Sequence, residues 1–159
     1  MTTVFSRCGE HRFRLEREIQ EKGKVFAYFG INPSLATSNF DDQTVKRWKG
    51  FSQRNECSKF IVGNVFSYIT PNVFELTQIQ NPVTSSNEQH IEKIINEADI
   101  LVPCWGSRYK IPSSLHFYLD QLLLKLKQSN KPVMCFGLTA SGDPKHVLTL
   151  PYKTPLIPL

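Results

Sequence analysis

The stretch VFAYFGINPS, residues 25–34, is an apolar, aromatic run that stops at Gly30 and continues into a polar turn. An apolar run of this length that ends in turn formers is typical of a buried strand. Pro33 fixes its own backbone and favours an extended Asn32, so the turn presents an amide side chain. Because ligands of open α/β sheets bind beyond the carboxyl ends of the strands, we expect the functional site here. An ordinary strand-to-helix turn is the alternative that this motif alone leaves open.

Three further apolar runs predict the rest of a sheet. They lie at residues 59–68, 99–105 and 133–137. The helices predicted between them begin at Asp41 or Asp42 and cover residues 87–98 and 111–128. Strands that alternate with helices favour a parallel sheet that is covered on both faces. We therefore predict an α/β fold, a three-layer α/β/α sandwich around a central, mainly parallel four-stranded sheet.

An N-terminal β-hairpin is predicted in front of this sheet. Residues 12–19 alternate roughly between polar and apolar side chains, and the turn signal EKGK follows them. This pattern predicts a hairpin that leads into the strand at Val25. We expect its arginines, Arg12, Arg14 and Arg17, on a solvated face.

Length and composition limit the class of protein. A chain of 159 residues is long enough to bury a sizeable core, and we predict one domain over residues 1–159. Within it, residues 1–24 form the hairpin extension, and residues 138–159 form a C-terminal loop and tail that carries a motif. An apolar content of 40% with 21% charged residues is typical of a soluble globular protein. The net charge of +5 suits a polyanionic partner.

Cofactors and membranes have no clear signal in the chain. Its four cysteines are dispersed and form no CxxC pair, which argues against a zinc ribbon or a cysteine-ligated cluster. The first residues lack a signal-peptide pattern, and no apolar run approaches a transmembrane length. We expect a cytoplasmic monomer with no metal, no cofactor and no membrane partner.

The predicted strands all end at or beside a glycine. Asn32 follows the first strand, Asn64 lies in the second, and His146 lies in the tail after the fourth. Parallel strands would bring these side chains to one edge of the sheet, with Asp41 and Asp42 nearby. Asparagine pairs with the hydrogen-bonding edge of a nucleobase, and histidine stabilises a developing anion or donates a proton. Taken singly, Asn64 also suits a turn, His146 an exposed loop, and the aspartates helix caps.

Four motifs resemble, in the same order, those of the uracil-DNA glycosylase superfamily. GINPS at 30–34 is similar to the first motif of mismatch-specific uracil and thymine glycosylases. FIVGNVFSY at 60–68 is similar to the strand whose asparagine reads the flipped pyrimidine. ILVPCWGSRYK at 100–110 resembles the strand with an LLWG-type sequence, and SGDPKHVLTLP at 141–151 resembles the final motif. The chain also resembles a family of short, largely uncharacterised bacterial and phage proteins with NPS, DDxT, WG and GxPxH signatures.

The resemblance, which covers about residues 25–151, implies a role for each matched position. Asn32 falls where the family has its water-activating aspartate or asparagine, and an asparagine can orient the water but not act as a strong base. Asn64 falls where an asparagine pairs with the pyrimidine, and His146 completes the base pocket. Leu148 falls near the wedge that fills the gap left by a flipped nucleotide.

Further residues complete the predicted site. Because Asn32 lacks a carboxylate, we expect Asp41 or Asp42 to supply the negative charge that stabilises the cationic sugar. Phe40 or Phe51 is expected to stack on the base. The other predicted substrate contacts are Gly30, Ile31, Pro33 and Ser34. The predicted DNA contacts are Arg108, Lys110, Lys145 and Leu148.

The activity implied is that of a DNA glycosylase, which flips a pyrimidine out of double-stranded DNA and hydrolyses its N-glycosidic bond to leave an abasic site. Uracil-specific members carry a tyrosine that excludes 5-substituted pyrimidines, where this chain has Ser34 and Leu35. We therefore expect a 5-modified pyrimidine, such as glucosylated hydroxymethylcytosine of phage DNA, with a role in antiphage defence. The alternatives are a uracil or mismatch glycosylase in repair, a module that binds a modified base or nucleotide without cleaving it, and a hydrolase of free nucleosides or nucleotides.

Overall fold

The computed structural model describes residues 2–159, which contain seven strands and three α-helices. The strands are β1 (Thr3–Phe5), β2 (Arg12–Glu18), β3 (Lys24–Gly30), β4 (Cys57–Asn64), β5 (Ile100–Pro103), β6 (Met134–Cys135) and β7 (Ile157–Pro158). The α-helices are α1 (Gln43–Arg54), α2 (Ser85–Glu97) and α3 (His116–Gln128). Short 3₁₀ helices occupy Val73–Gln78, Arg108–Lys110, Ser113–Leu115 and Val147–Thr149.

A five-stranded sheet with the strand order β1-β2-β4-β3-β5 forms the centre of the fold. Strand β3 pairs in parallel with β4 and β5, whereas β2 pairs antiparallel with β4 and with β1. All of these strands except β2 therefore run in one direction, and the carboxyl ends of β3, β4 and β5 meet at one edge. The predicted α/β class with a mostly parallel sheet is confirmed.

Successive residues of β3 pack into two different cores, because neighbouring side chains of a strand point to opposite faces. Ala27 and Phe29 pack with the apolar sides of α2 and α3, whereas Phe26 and Tyr28 pack with α1. Helices thus cover both faces of the sheet. The polar turn that follows β3 emerges between the two helical layers.

The predicted hairpin between residues 12–19 and the strand at Val25 is wrong, because β4 lies between β2 and β3. Strand β2 instead forms a hairpin with β1, and both belong to the central sheet. The connection from β2 to β3 passes closely across the start of β4. At Gly23 φ is +140°, and a Cβ atom there would lie 2.1 Å from the carbonyl oxygen of Glu56. Because β1 and β2 belong to the central sheet, this sheet has five strands, whereas the sequence predicts four.

The predicted fourth strand, residues 133–137, is reduced to β6 and does not continue the central sheet. It pairs antiparallel with β7, within the segment predicted to be a loop and tail. A single parallel bridge, between Leu101 and Val133, joins this segment to β5. Pro132 accepts a hydrogen bond from Leu101 N at 2.9 Å but has no N–H to donate, so the ladder does not extend.

A bulge in β2 directs a second arginine towards α1. The register against β1 skips Phe13, which is the extra residue of the bulge. Arg12 and Arg17 consequently both lie near the aspartates that precede α1. Their exposed fractions are 4% and 0%, so the prediction that they form a solvated face is wrong.

Candidate active site

A partly enclosed cavity of about 190 Å³ lies beyond the carboxyl ends of β3 and β4. The turn after β3, the end of β4 and the start of α1 form its wall. The polar side chains that line it belong to Arg12, Asn32, Ser34, Asp42, Thr44, Asn64 and His146. The cavity is also lined by Gly30 and Ile31 of the predicted turn, but not by Pro33. Residues from five separate parts of the chain therefore meet at this edge of the sheet.

The side chain of Asn32 is oriented by backbone carbonyl groups. Its Nδ2 donates to Thr70 O at 2.8 Å, to Pro33 O at 3.2 Å and to Tyr68 O at 3.3 Å. Because only the amino group of an amide donates hydrogen bonds, these contacts determine which way the amide points. Its Oδ1 has no hydrogen-bond partner within residues 2–159 and is left as a fixed acceptor for a ligand or a water molecule.

Asn64 is a nearly buried amide at the end of β4, and its position is set by two neighbours. Its Oδ1 packs against Gly30, and its main-chain carbonyl accepts a hydrogen bond from Asn87 Nδ2 at 3.0 Å. Asn87 also donates to Val65 O at 3.3 Å, so it fixes the strand end. The sequence analysis did not identify Asn87. The sequence feature that could have identified Asn87 is its position on the apolar stripe of α2, four residues before Ile91.

We expect Gly30→Ala to disturb the cavity more than it disturbs folding. The added Cβ would lie 2.9 Å from Asn64 Oδ1, so the amide would have to shift. Any activity that depends on Asn64 should fall by about 10-fold or more. Gly63→Ala is the matched control, because its Cβ would meet Ile91 in the core at 2.8 Å instead. Urea unfolding should show the larger stability loss for Gly63→Ala, and equal activities of the two folded variants would contradict the prediction.

The two predicted aspartates have different surroundings. Asp42 lines the cavity and caps α1, with Oδ1 accepting from Val45 N at 3.0 Å. Asp41 does not line the cavity, and its oxygens accept from Arg17 Nε at 2.8 Å and from Lys49 Nζ. Burial raises the pKa of Asp41, but these hydrogen bonds outweigh it and hold the pKa below its usual value. Asp42 is therefore the carboxylate that is available to a ligand.

His146 lies between the cavity and a neighbouring groove. Its Nδ1 accepts from Leu148 N at 3.1 Å, so the neutral ring carries its proton on Nε2. Burial lowers the pKa of His146, Lys110 lowers it further, and Asp42 opposes the shift. The imidazole is thus neutral at neutral pH and offers one N–H donor.

Helix α1 holds the segment that carries His146. Arg47 donates to the carbonyl oxygens of Val147 and Leu150, and its guanidinium lies 3.9 Å from the centre of the Tyr152 ring. Gly50 makes this packing possible, because a Cβ there would lie 2.3 Å from the same ring. The C-terminal segment is therefore fixed to the helix whose first residues line the cavity.

A wider groove of about 630 Å³ adjoins the cavity. The two are direct neighbours, since Ile31, Asn32 and His146 line both. Three of the predicted DNA contacts, Lys110, Lys145 and Leu148, line the groove. Neither lysine forms an ion pair within residues 2–159, and Leu148 is 47% exposed. The groove therefore combines free positive charge with an exposed apolar side chain.

Arg108, the fourth predicted DNA contact, is engaged by other residues of the protein. Its Nη2 donates to Asp120 at 2.7 Å, and its Nε donates to Asp143 at 3.0 Å. These hydrogen bonds raise its pKa, with the larger effect from Asp120. Arg108 thus stabilises the loop after β5, and a DNA contact by this residue stays a prediction that would compete with these pairs.

Neither residue predicted to stack on a base lines the cavity. Phe51 is fully buried, with its ring centre 4.4 Å from that of Phe136, so its predicted stacking is wrong. Phe40 is exposed on the loop before α1. Trp48 supplies the aromatic surface of the cavity and stacks on Tyr28, with 5.6 Å between ring centres. The sequence feature that marks Trp48 is its place on the apolar side of α1, a position more typical of a core residue than of a ligand contact.

Arg12 also lines the cavity, although the sequence analysis placed it on a solvated face. Its Nη1 donates to Ala36 O at 2.9 Å, and its buried Nε has no partner within residues 2–159. Burial is the main influence and lowers the pKa of Arg12 to about 10, against the opposing effect of Asp42. The guanidinium therefore stays charged at neutral pH. Sequence alternation alone gives no signal for Arg12, because the bulge at Phe13 reverses the face on which it lies.

The described residues contain neither a membrane-spanning helix nor a cluster of metal-ligating side chains. Within residues 2–159, no helix has the length and apolar character that crossing a bilayer requires. In the same part of the chain, no three side chains of His, Cys, Asp or Glu meet as ligands for a metal ion would.

Comparison with known proteins finds one family. A family model described as "Protein of unknown function (DUF1643)" matches residues 12–148. No curated protein and no solved structure matches the chain. The matched range begins at Arg12 and ends at Leu148, so it includes all the polar side chains that line the cavity.

Proposed function

Because the chain belongs to the DUF1643 family, whose function is unknown, we propose its activity from the site: a DNA glycosylase that hydrolyses the N-glycosidic bond of a flipped pyrimidine. One observation carries the proposal. Asn32, Asn64, Asp42 and His146 line a single cavity, and the groove directly beside it has two unpaired lysines. At about 190 Å³ the cavity suits the pyrimidine ring alone, and the neighbouring groove of about 630 Å³ is the space that a bulky 5-substituent would need. The proposal includes a uracil-DNA-glycosylase-like architecture for the sheet and its helices.

The proposed reaction replaces the base at C1′ of the sugar with a water oxygen. The amide of Asn64 pairs with the base, and Asn32 Oδ1 accepts a hydrogen bond from the water. The bond between C1′ and the base breaks with its electron pair on the base, which leaves positive charge on the sugar. Asp42 stabilises that charge, and His146 Nε2–H donates to the base anion. The water oxygen bonds to C1′, its proton goes to solvent, and the base takes up a proton.

The proposed substrate is a 5-modified pyrimidine in double-stranded DNA, such as glucosylated hydroxymethylcytosine, and antiphage defence is the proposed role. The small side chain of Ser34 lines the cavity, and Leu35 is exposed, which supports room beside the base. Lys110 and Lys145 would meet the phosphates, and Leu148 would fill the gap left in the duplex. Binding should accordingly weaken steeply as salt concentration rises.

The carboxylate of Asp42 is expected to be the one that acts on the sugar. Asp42→Asn should slow single-turnover base release by about 10-fold or more, because the charge is lost while the helix cap is kept. Asp41→Asn should slow it far less, since that carboxylate is held by Arg17 and Lys49. An unchanged rate in Asp42→Asn, or a larger loss in Asp41→Asn, would show that the assignment is wrong.

Base release should depend on pH through His146. The active form in the proposal is the neutral ring, so the rate should be flat from about pH 6.5 to 8 and fall in acid. Protonation of Nδ1 would also break the hydrogen bond from Leu148 N. A His146→Gln variant should lose the acid limb of the profile. A rate that instead falls as pH rises would identify His146 as a general acid.

The experiment that tests the function uses a panel of labelled duplexes. They contain uracil, 5-hydroxymethylcytosine, glucosylated hydroxymethylcytosine or unmodified cytosine at one position, and alkali cleaves any abasic site formed. We expect strand breaks at the glucosylated base and none with Asn32→Ala. Breaks at uracil alone would move the assignment to repair.

A panel without any break would overturn the glycosylase proposal. Tight retention of one modified duplex in that case would identify a binding module. Asn32 is the observation that favours this second candidate, because its amide oxygen accepts hydrogen bonds but does not take up a proton as a base does.

A further inference from the structure

Arg12 is a buried cation with unused hydrogen-bond donors. The side chain is 4% exposed, and its only hydrogen bond within residues 2–159 goes from Nη1 to Ala36 O at 2.9 Å. No carboxylate of these residues lies within ion-pair distance of it. A guanidinium has five N–H donors, and burying a charge without partners is unfavourable. Unsatisfied buried groups of this kind call for a structural or functional reason.

Arg17 provides the comparison, because it lies in the same strand and is equally buried. It donates to Asp41 Oδ1 at 2.8 Å, to Glu16 O at 2.8 Å and to Thr37 O. Arg17 thus has its partners within the protein and does not line the cavity. Arg12 differs in both respects, so its free donors point to a partner that enters the cavity.

We propose that Arg12 contacts the substrate base, donating hydrogen bonds to a ring nitrogen or carbonyl oxygen and stabilising the negative charge that the base acquires as it leaves. This inference rests on the proposed glycosylase function. The bond to C1′ breaks with its electron pair on the base, and a fixed cation in a water-poor cavity stabilises the resulting anion strongly. Because the side chain of Asn32 is uncharged, stabilisation of the leaving group accounts for the larger share of the proposed rate enhancement.

A base suits Arg12 better than a phosphate does. Asp42 lines the same cavity, and its negative charge would repel a phosphate but not a neutral base. The groove next to the cavity has Lys110 and Lys145 for phosphates. Arginine commonly donates to the acceptor atoms of a nucleobase edge. The geometry therefore separates a site for the base from a site for the backbone.

The bulge in β2 explains how Arg12 reaches this place. In a regular strand without the bulge, Arg12 would share a face with Arg14, two residues later, which pairs with Glu97 of α2. Bulges are common next to active sites, where they change the direction of a side chain. The N-terminal hairpin is thus part of the site.

The kinetic test varies the leaving group. An electron-withdrawing 5-substituent makes a pyrimidine a better leaving group, so it needs less stabilisation. Single-turnover rates are measured for 5-hydroxymethylcytosine against 5-formylcytosine, or for uracil against 5-fluorouracil if the wild-type protein releases uracil. We expect Arg12→Gln to slow release of the poorer leaving group by about 100-fold and of the better one by clearly less. Arg12→Lys should recover part of the loss. Arg17→Gln, the matched control, should change both rates by the same factor.

Binding provides a readout that does not need catalysis. Fluorine NMR measures the binding of free 5-fluorouracil or 5-fluorocytosine to the wild-type protein and to Arg12→Gln. Circular dichroism checks that both proteins are folded. We expect Arg12→Gln to weaken binding by about 10-fold or more.

The outcomes separate the two proposals. If Arg12→Gln slows release of both bases by the same factor and leaves binding unchanged, the role of Arg12 is overturned and the glycosylase stands. Binding through Arg12 without release from any duplex keeps the contact and overturns the glycosylase. A wild-type protein that neither releases nor binds a base overturns both.

Discussion

Asn32→Ala should reduce single-turnover base release by about 100-fold or more, the cost of removing a positioned group at a reacting centre. The amide of Asn32 is held by the carbonyls of Pro33, Tyr68 and Thr70, so its Oδ1 stays in one place. Alanine leaves the water without that acceptor. Because three carbonyls also lose their donor, the variant needs a folding check by circular dichroism. A folded Asn32→Ala with wild-type rates would contradict the assignment.

Asn32→Asp distinguishes this site from one built for a carboxylate. An aspartate would face the three carbonyl groups with acceptors only, and we expect it to cost about 1–3 kcal/mol of stability at pH 7. Repulsion raises the pKa of the new carboxyl in the folded state, since its protonated form donates a hydrogen bond. The stability deficit should therefore be smallest below the unfolded pKa of about 3.9 and grow as pH rises. Higher activity in Asn32→Asp than in wild type would show that the site accepts a base there.

Arg17→Met should lower the free energy of unfolding by about 3 kcal/mol, as measured by urea denaturation. Arg17 is fully buried, and it joins β2 to Asp41 and to the carbonyl of Thr37 in the loop before α1. Methionine fills a similar volume but leaves those acceptors without their donor. Since this loop adjoins the cavity, base release by the folded variant should fall as well.

The pH dependence and a matched variant check the cause. The pKa of Asp41 is below its usual value, so the pair contributes stability above the unfolded pKa of about 3.9. That contribution is lost as pH falls through the lower folded pKa, and the difference between wild type and Arg17→Met should shrink in acid. Arg14→Met removes an arginine from the other face, where Glu97 is 46% exposed, and should cost about 1 kcal/mol or less. Equal losses in the two variants would contradict the prediction.

The residues that sequence patterns predicted well lie in elements determined by near neighbours. Asp42 caps α1 as expected, because its side chain accepts from the backbone three residues later. The apolar run before Asn32 forms β3, because no alternative to burial exists for so many large apolar side chains. Asn64 lies at the same edge as Asn32 because β3 and β4 are parallel, as the alternation of elements predicts. His146 lies there through the contacts of its segment with Arg47 of α1, although the predicted fourth strand does not join the sheet.

The errors concern contacts between residues far apart in the sequence. A strand and a turn before Val25 suit a hairpin, yet β2 pairs with β4, where Leu15 lies opposite Val62, 47 residues later in the chain. The short β6 pairs with the chain end, which no local pattern indicates. Phe51 is in the core because Phe136 packs on it, although its sequence position near the site suggested stacking.

The amino-acid sequence by itself determined the α/β class, the cap of α1 and the turn with Asn32, since each depends on periodicity or on contacts within a few residues. Only the tertiary structure decided that Asp42 lines the cavity while Asp41 is held by Arg17 and Lys49. It also decided the place of Arg12, which turns towards the cavity through a bulge in strand pairing. The physical reason is that pairing register and the burial of charged groups depend on partners distant in the chain, and their free energies are settled only when the sheet assembles.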